Sequence, residues 1–199
     1  MGRPHSREAA TSARRLNPSN ESETRRPIPC KDSTMNKKSF VLSPGLYFSY
    51  GQFFVYDKSV HMPACDWTDA HSDQGFARRR CTVAFGTLLE FGDADIKIHR
   101  GPYQHRGRYE RVIAVPFLVA SGRVNVDGPE ETDLERGFEL PLGNYRLVAA
   151  QRVTGDDEEA IDLFFELLTK PLERSSILVA DEALNPPTPL IETAGVPRP

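Results

Sequence analysis

The sequence is short of cysteine. Its 199 residues include three, Cys30, Cys65 and Cys81, and no two of them form a CxxC pair. An odd number at these spacings supports neither a disulfide framework nor a zinc knuckle. The expected compartment is therefore a reducing cytoplasm.

Long apolar runs are also missing. No run approaches the roughly 18 residues that a membrane-spanning helix needs. The basic N-terminus is not followed by the apolar stretch of a signal peptide. We therefore expect neither a membrane span nor a secretory signal. We interpret the Arg- and Ser-rich beginning as an upstream extension rather than a transit peptide, with Met35 as a candidate start of the working protein.

Catalytic signatures are a third absence. The sequence has no GxSxG elbow, no P-loop and no GxGxxG, and no motif places a histidine beside a Cys or Ser nucleophile. We expect a protein that is not an enzyme and that carries no cofactor.

Net charge is low but unevenly distributed. The whole chain is at −3, whereas residues 1–32 hold seven basic and four acidic side chains, which leaves −6 on the remainder. A folded part of this charge repels nucleic-acid phosphates and favours basic partners.

Composition divides the chain into three parts. Residues 1–39 have almost no aliphatic side chains, so they cannot bury enough surface to offset the entropy of ordering, and we predict a disordered basic tail. Residues 181–199 hold five of the sixteen prolines, which predicts a second disordered, extended tail. Residues 40–180 remain as a single folded domain.

Within that domain, apolar residues recur at every second position, which is the period of a half-buried strand. Residues 46–56 are predicted as one strand, and further alternating segments begin near Cys81, Ile96, Ile113, Arg123, Phe138, Tyr145, Ile161 and Ile177. Seven or eight short strands separated by Gly, Pro and Asp predict an all-β fold, a single antiparallel β-sandwich. The stretch from Leu140 to Tyr145 resembles the tyrosine corner of such sandwiches.

Two segments favour a helix. Thr68 is a suitable N-cap for a short helix over residues 69–74, and Gly75 is suited to end it, so we expect one short helix after the first strand. Residues 156–169 begin with four acidic side chains, as helices do, but their apolar residues fit either period. Helix and strand stay open there.

The segment Asp66-Trp67-Thr68-Asp69, with Asp73 one turn later, is the candidate binding site. Trp67 is the only tryptophan, and we weigh it as a core plug against an interface anchor, because aromatic anchors dominate binding hot spots. A metal site built on His61, Asp66, Asp69 and His71 is the alternative. It lacks HxH or HExxH spacing, so a surface loop with a capped helix is favoured.

Two charged stretches suggest other partners. Residues 97–111 are basic with interleaved tyrosines, a composition that suits nucleic acid, and Arg78-Arg79-Arg80 could extend them. Acidic residues gather at 127–135 and 156–162, where carboxylates could stand in for phosphates in a basic DNA-binding cleft. Because the folded part is acidic, the protein partner is favoured and direct nucleic-acid binding is the alternative.

The blocks Ser49–Tyr56, Asp66–Asp69, Gly75–Ala77, Val115–Phe117 and Phe138–Leu147 resemble, in this order, those of the competence protein J family. The resemblance covers about Leu46 to Ala150. It implies a small cytoplasmic inhibitor that binds a DNA-entry nuclease and blocks DNA cleavage, and an immunity protein against a toxin nuclease would work in the same way. The partner-binding residues Asp66, Trp67, Thr68, Asp69 and Asp73 are our inference from the residues. The nuclease, the stoichiometry and the oligomeric state stay open.

Overall fold

A computed structural model describes residues 39–41, 45–105, 108–130 and 137–197. The predicted N-terminal tail, apart from its last residue, lies outside these ranges. The elements are β1 (Ser39–Val41), β2 (Leu46–Phe48), β3 (Gln52–Asp57), α1 (Asp69–Gln74), β4 (Phe76–Arg79), β5 (Thr82–Gly86), β6 (Gly92–Arg100), β7 (Arg111–Val119), β8 (Arg123–Asp127), β9 (Phe138–Glu139), β10 (Gly143–Gly155), β11 (Glu158–Leu168) and β12 (Ser176–Val179). The all-β prediction is confirmed.

The larger sheet has seven strands in the order β1-β6-β11-β10-β7-β12, with β2 also pairing with β6. Its pairings are antiparallel except one: β6 and β11 run parallel, with Ile96 opposite Ile161 and Ile98 opposite Leu163. The antiparallel description of the sandwich therefore needs this exception. No hairpin joins β6 to β11, so no tight turn forces them to run in opposite directions.

The smaller sheet is antiparallel, in the order β4-β5-β3-β8-β9. Side chains of both sheets form one main core, to which Phe53 and Phe85 contribute from the smaller sheet. From the larger sheet, Phe165 meets Tyr145 edge to face at 6.2 Å between ring centroids. This shared core confirms the two-layer architecture.

The first predicted strand is two strands. Tyr50 and Gly51 both adopt left-handed backbone, with φ of 58° and 60°, and this turn separates β2 from β3. β2 joins the larger sheet and β3 the smaller. The alternation of apolar residues continues through the turn in the sequence, which is why the period alone did not reveal the break. The helix consequently follows the third strand rather than the first.

Two local predictions are resolved by pairing and by a hydrogen bond. Residues 158–168 form strand β11, because they pair with β10 on one side and β6 on the other. The Tyr145 hydroxyl donates to the carbonyl of Pro141 at 2.8 Å, which is the bond of a tyrosine corner.

The C-terminal segment corrects the predicted tail. Residues 181–197 have no regular secondary structure, yet they lie on the fold as a strap, the name used below for this segment. The main-chain N–H of Ala194 donates to the carbonyl of Arg78, and that of Asn185 to the carbonyl of Asp73. Leu184 and Leu190 pack against the main core. Prolines removed the pattern of regular structure, but apolar side chains still dock the segment, so it is not disordered over these residues.

No helix in the described part of the chain is long and apolar enough to cross a membrane.

Candidate partner-binding site

The predicted helix is present with the predicted caps. Thr68 lies at the N-cap in extended backbone, and its main-chain N–H donates to Nδ1 of His71 at 3.2 Å. Gly75 ends the helix in left-handed backbone with φ of 76°. A Cβ at Gly75 would also come within 2.9 Å of the Leu184 side chain of the strap, which would have to shift.

The candidate residues share one surface, but they are not equally exposed. Asp66, Thr68 and Asp69 are exposed, and Asp73 is partly buried. Asp69 lies in the first helical turn, where a carboxylate favours the helix dipole. We call Asp66 to Asp73 the acidic loop. It presents carboxylates to solvent from a short, capped element.

Trp67 lies between the two roles considered for it. Its ring packs against an outer apolar cluster that includes Phe54, Tyr56 and Cys65, on the side of the smaller sheet away from the main core. It is half-buried, and its Nε1 has no hydrogen-bond partner within the described residues. A buried indole N–H usually finds a partner. Trp67 therefore supports the loop from below and keeps a donor unused.

The strap also holds the acidic loop. The main-chain N–H of Asp66 donates to the carbonyl of Gly195 at 2.9 Å. The Gln74 side chain pairs with Ile191 in both directions, donating to its carbonyl at 3.0 Å and accepting from its N–H at 2.8 Å. Gln74 is fully buried, so this amide replaces a missing main-chain partner. The strap was missed from the sequence, where its signal was three aliphatic residues, Leu184, Leu190 and Ile191, among prolines.

The alternative metal set does not converge. His71 uses Nδ1 within the cap, and His61 lies exposed outside the helix. Within the described ranges, no group of three or more His, Cys, Asp or Glu side chains is placed to hold a metal ion.

The basic stretch 97–111 is divided by internal contacts. Arg111 is buried and forms an ion pair with Asp181 at 2.6 Å. His99 Nε2 lies 2.6 Å from Asp162, and Arg100 donates to the carbonyl of Glu139 at 3.0 Å. Nearby, Arg78 contacts Glu192 of the strap at 3.4 Å. Arg106 lies outside the described residues. These side chains make contacts within the fold, so they do not form a continuous basic face.

A cleft of about 810 Å³ lies on the outer face of the larger sheet. Its centre is the Asp162 carboxylate, which accepts from the hydroxyl of Tyr109 at 3.1 Å and from Arg152 Nη1 at 3.2 Å in addition to its contact with His99. Burial, assisted by Asp162, raises the pKa of Tyr109 to about 12. Phe164 stacks on His99 at 4.2 Å between centroids. Every charge at the centre has an internal partner, which makes this a rigid polar network.

The acidic residues also fall into two groups, one buried and one exposed. Asp127, Glu159 and Asp162 are buried, whereas Asp156, Asp157 and Glu158 are exposed at the turn between β10 and β11. The Tyr56 hydroxyl donates to Asp127, and burial together with this carboxylate raises the pKa of Tyr56. Residues 131–135 lie outside the described ranges, and Glu130 is exposed, so the exposed carboxylates of the acidic prediction among the described residues are Glu130 and the β10–β11 turn.

Glu159 gives a pH prediction. Burial raises its pKa to about 7, although Leu89 donates its main-chain N–H to Oε1 at 2.6 Å. Because the pKa in the folded chain exceeds that in the unfolded chain, the associated stability is complete below about pH 4.5 and is lost as the pH rises through 7. We expect Glu159→Gln to raise the free energy of unfolding at pH 8 by on the order of 1–3 kcal/mol, and to change it little at pH 4.

Urea unfolding at the two pH values measures the Glu159 effect. Glu158→Gln is the control, because Glu158 is the exposed neighbour. An equal gain in the free energy of unfolding for Glu159→Gln at both pH values would contradict the prediction.

Two β-sheets on one core, with an exposed acidic loop held by the strap, define a small two-sheet β protein. The chain belongs to the competence protein J family, because the model described as Competence protein J (ComJ) matches residues 45–169, more than half of its length. The match includes the acidic loop and excludes the strap.

A named relative and a solved structure, both from Bacillus subtilis, agree with this placement. The chain is 29% identical over 102 residues to a protein of Bacillus subtilis (strain 168) named DNA-entry nuclease inhibitor, which covers 51% of this chain and 75% of the relative. It is similar to the crystal structure of ComJ from Bacillus subtilis, described as the inhibitor of the DNA degrading activity of NucA. That match has a TM-score of 0.52 and 26% identity over 65% of this chain and 96% of the other. A structure titled Crocagin biosynthetic gene J matches at a TM-score of 0.44 and 18% identity, over 64% of this chain and 98% of that one.

Proposed function

We propose that this chain inhibits a DNA-degrading nuclease by binding to it as a protein. The observation that carries the proposal is the match to ComJ, which extends over 96% of that inhibitor and over residues 45–169 of this chain. An inhibitor of this kind needs a complementary surface rather than catalytic groups. The expected compartment is the cytoplasm, and the free thiols of Cys65 and Cys81 support it.

The direct test is a DNA-degradation assay. The purified chain is titrated against NucA of Bacillus subtilis, the nuclease that the similar protein ComJ inhibits. We expect DNA cleavage to stop at stoichiometric amounts of the chain. Continued cleavage of DNA by NucA in the presence of excess chain would refute the proposal.

The acidic loop is the proposed contact surface, with Asp66, Trp67, Thr68, Asp69 and Asp73 as its residues. Their carboxylates would meet cationic groups of the nuclease, and the partly exposed ring of Trp67 would add apolar contact area. Complementary charge orients a partner and speeds its association. The strap would act with the loop, because it fixes the main chain of Asp66 and Asp73.

Replacing Trp67 and Asp69 together with alanine tests this surface. We expect the complex with the nuclease to weaken by about 2–3 kcal/mol, because hot-spot aromatic and charged residues contribute on that scale. Isothermal titration calorimetry measures the affinity, and thermal unfolding reports any loss of the packing of Trp67 on Phe54 and Tyr56.

Two controls separate binding from folding. Trp67→Phe retains packing on the apolar cluster, and Glu173→Ala removes an exposed carboxylate elsewhere. Wild-type affinity in the folded double variant would exclude the acidic loop as the contact surface.

Nucleic-acid binding through residues 97–111 is the weaker candidate, because Arg111 and His99 have carboxylate partners inside the protein. A salt-dependent shift of DNA mobility that is abolished in Arg100→Glu/Arg108→Glu would revive it.

A further inference from the structure

Three connections meet at one end of the molecule, away from the tyrosine corner. The β2–β3 turn contacts the β5–β6 loop, where the main-chain N–H of Gly51 donates to the carbonyl of Glu90 at 2.7 Å. The start of β6 contacts the β10–β11 turn, where the N–H of Asp93 donates to the carbonyl of Asp157 at 2.9 Å. These bonds join residues from distant parts of the sequence into one surface.

Exposed aromatic side chains concentrate there. Tyr50 is 73% exposed, Phe91 54% and Tyr47 43%. We call these three residues the aromatic tip. Large apolar groups in water are costly, and a cluster of them on a folded surface marks a contact site more often than isolated ones do. Tyr50 also adopts a backbone conformation that favours glycine, yet the sequence retains a tyrosine in it.

The surroundings of the aromatic tip are acidic. Asp93 pairs in register with Tyr47 on one side and with Glu158 on the other, and all three are exposed. Glu90, Asp156 and Asp157 are exposed beside them. Residues 45–57, 87–95 and 155–158 contain no lysine or arginine. The surface therefore combines apolar rings with charge of one sign.

We propose that the aromatic tip docks onto the basic DNA-binding surface of the nuclease, with Tyr50 and Phe91 as apolar anchors and the surrounding carboxylates in the place of DNA phosphates. This rests on the proposed function and adds a second contact surface to the acidic loop. Aromatic residues are enriched in interface cores, and a rim of complementary charge sets the rate of association. The family match at residues 45–169 includes the whole surface.

The test uses the full chain carrying Tyr50→Gly and Phe91→Ala. Glycine adopts the left-handed backbone of position 50 without strain, and both side chains are exposed, so the variant should fold like the wild type. We expect its inhibition constant against NucA to rise at least tenfold. Leu142→Ala is the matched control, because Leu142 is 65% exposed beside the tyrosine corner, and it should leave inhibition unchanged.

A second variant probes the charges. Glu90→Gln, Asp157→Asn and Glu158→Gln together should slow association by at least tenfold at low salt and flatten its dependence on salt, whereas dissociation changes less. Stopped-flow or surface plasmon resonance measures both rates. A triple variant with wild-type association rates would overturn the role of the carboxylates.

The outcomes separate the two proposals. If the wild-type chain inhibits the nuclease and the Tyr50→Gly/Phe91→Ala chain inhibits it equally well, the aromatic tip is not a contact surface, and the inhibitor function stands. If the wild-type chain does not inhibit NucA, the function and the docking proposal both fail. A third outcome also counts against the tip. In it, the Tyr50→Gly/Phe91→Ala variant loses inhibition but also melts at a lower temperature, and the charge variant associates at the wild-type rate.

Discussion

Replacing Asp181 with alanine should lower the free energy of unfolding by about 3–5 kcal/mol, the scale expected when one partner of a buried ion pair is removed. Asp181 Oδ2 lies 2.6 Å from Arg111 Nη2 and 2.8 Å from its Nε. The Arg111 side chain is only 6% exposed. Without Asp181 the guanidinium keeps its bonds from Nη1 to the carbonyls of Gly86 and Thr87, but it remains charged in a buried position.

The same substitution should release the strap. The other carboxylate oxygen of Asp181 accepts from the N–H groups of Ala183 and Leu184, which fixes the start of the strap. We expect hydrogen exchange to accelerate at residues 183–195, most clearly at Ile191 and Ala194, whose N–H groups are bonded to the fold. Chemical unfolding measures the stability, and exchange measured by NMR locates the release.

Two comparisons define the origin of the Asp181 effect. Glu182→Ala removes an exposed neighbouring carboxylate and should change stability by less than about 0.5 kcal/mol. Arg111→Met combined with Asp181→Leu removes both charges, and it should be more stable than Asp181→Ala alone. If Asp181→Ala and Glu182→Ala behave alike, the ion pair does not stabilise the fold.

Replacing Asp57 with alanine should also cost about 3–5 kcal/mol, because four donors lose one buried acceptor. Asp57 is fully buried. Its Oδ2 accepts from the N–H groups of Ala120 and Ser121 at 2.9 Å each, and Oδ1 accepts from the N–H of Ser59 at 2.9 Å and from its hydroxyl at 2.5 Å. One side chain thus joins the end of β3 to the β7–β8 turn.

The pH dependence of stability provides a second test of the role of Asp57. Burial alone would raise the pKa of this carboxyl, but the bonds from Ser121, Ser59 and Ala120 outweigh it and leave the pKa below its ordinary value. A lowered pKa in the folded chain means that the stabilisation is complete above about pH 4 and is lost as the pH falls through the folded pKa. The difference in unfolding free energy between Asp57→Asn and the wild type should therefore narrow as the pH falls below 4.

Lys58→Ala is the control for both measurements, because Lys58 is exposed in the same turn. We expect it to change the unfolding free energy by less than about 0.5 kcal/mol. An Asp57→Ala protein as stable as Lys58→Ala would show that water replaces the carboxylate without loss.

The features that the sequence predicted correctly are those specified by neighbouring residues. The helix over residues 69–74 was predicted to the residue, because Thr68 and Gly75 are local caps. Strands such as β7 and β10 showed their period of two within a few residues. The tyrosine corner also lies within one short segment, from Pro141 to Tyr145.

What escaped prediction depends on distant partners. The parallel pairing of β6 with β11 joins segments more than fifty residues apart, so no turn residue records it. The ion pair of Arg111 with Asp181 spans seventy residues and converts a candidate nucleic-acid contact into a structural one. At the site, the contact role of Asp66, Trp67, Thr68, Asp69 and Asp73 remains a prediction, and the packing of Trp67 beneath the loop could not be read from the sequence. The strap beside them was hidden by its prolines.

The position of β6 has a consequence for how the chain is made. β6 lies inside the larger sheet, and its neighbour on one side is β11, which the ribosome delivers only after residue 158. Until then one edge of β6, with Ile96 and Ile98 along it, lacks its permanent partner and is open to pairing with other chains. Residues 181–197 arrive later still, and they complete the support of the acidic loop. Because β6 acquires this neighbour only late in synthesis, we expect the larger sheet to be completed near the end of translation.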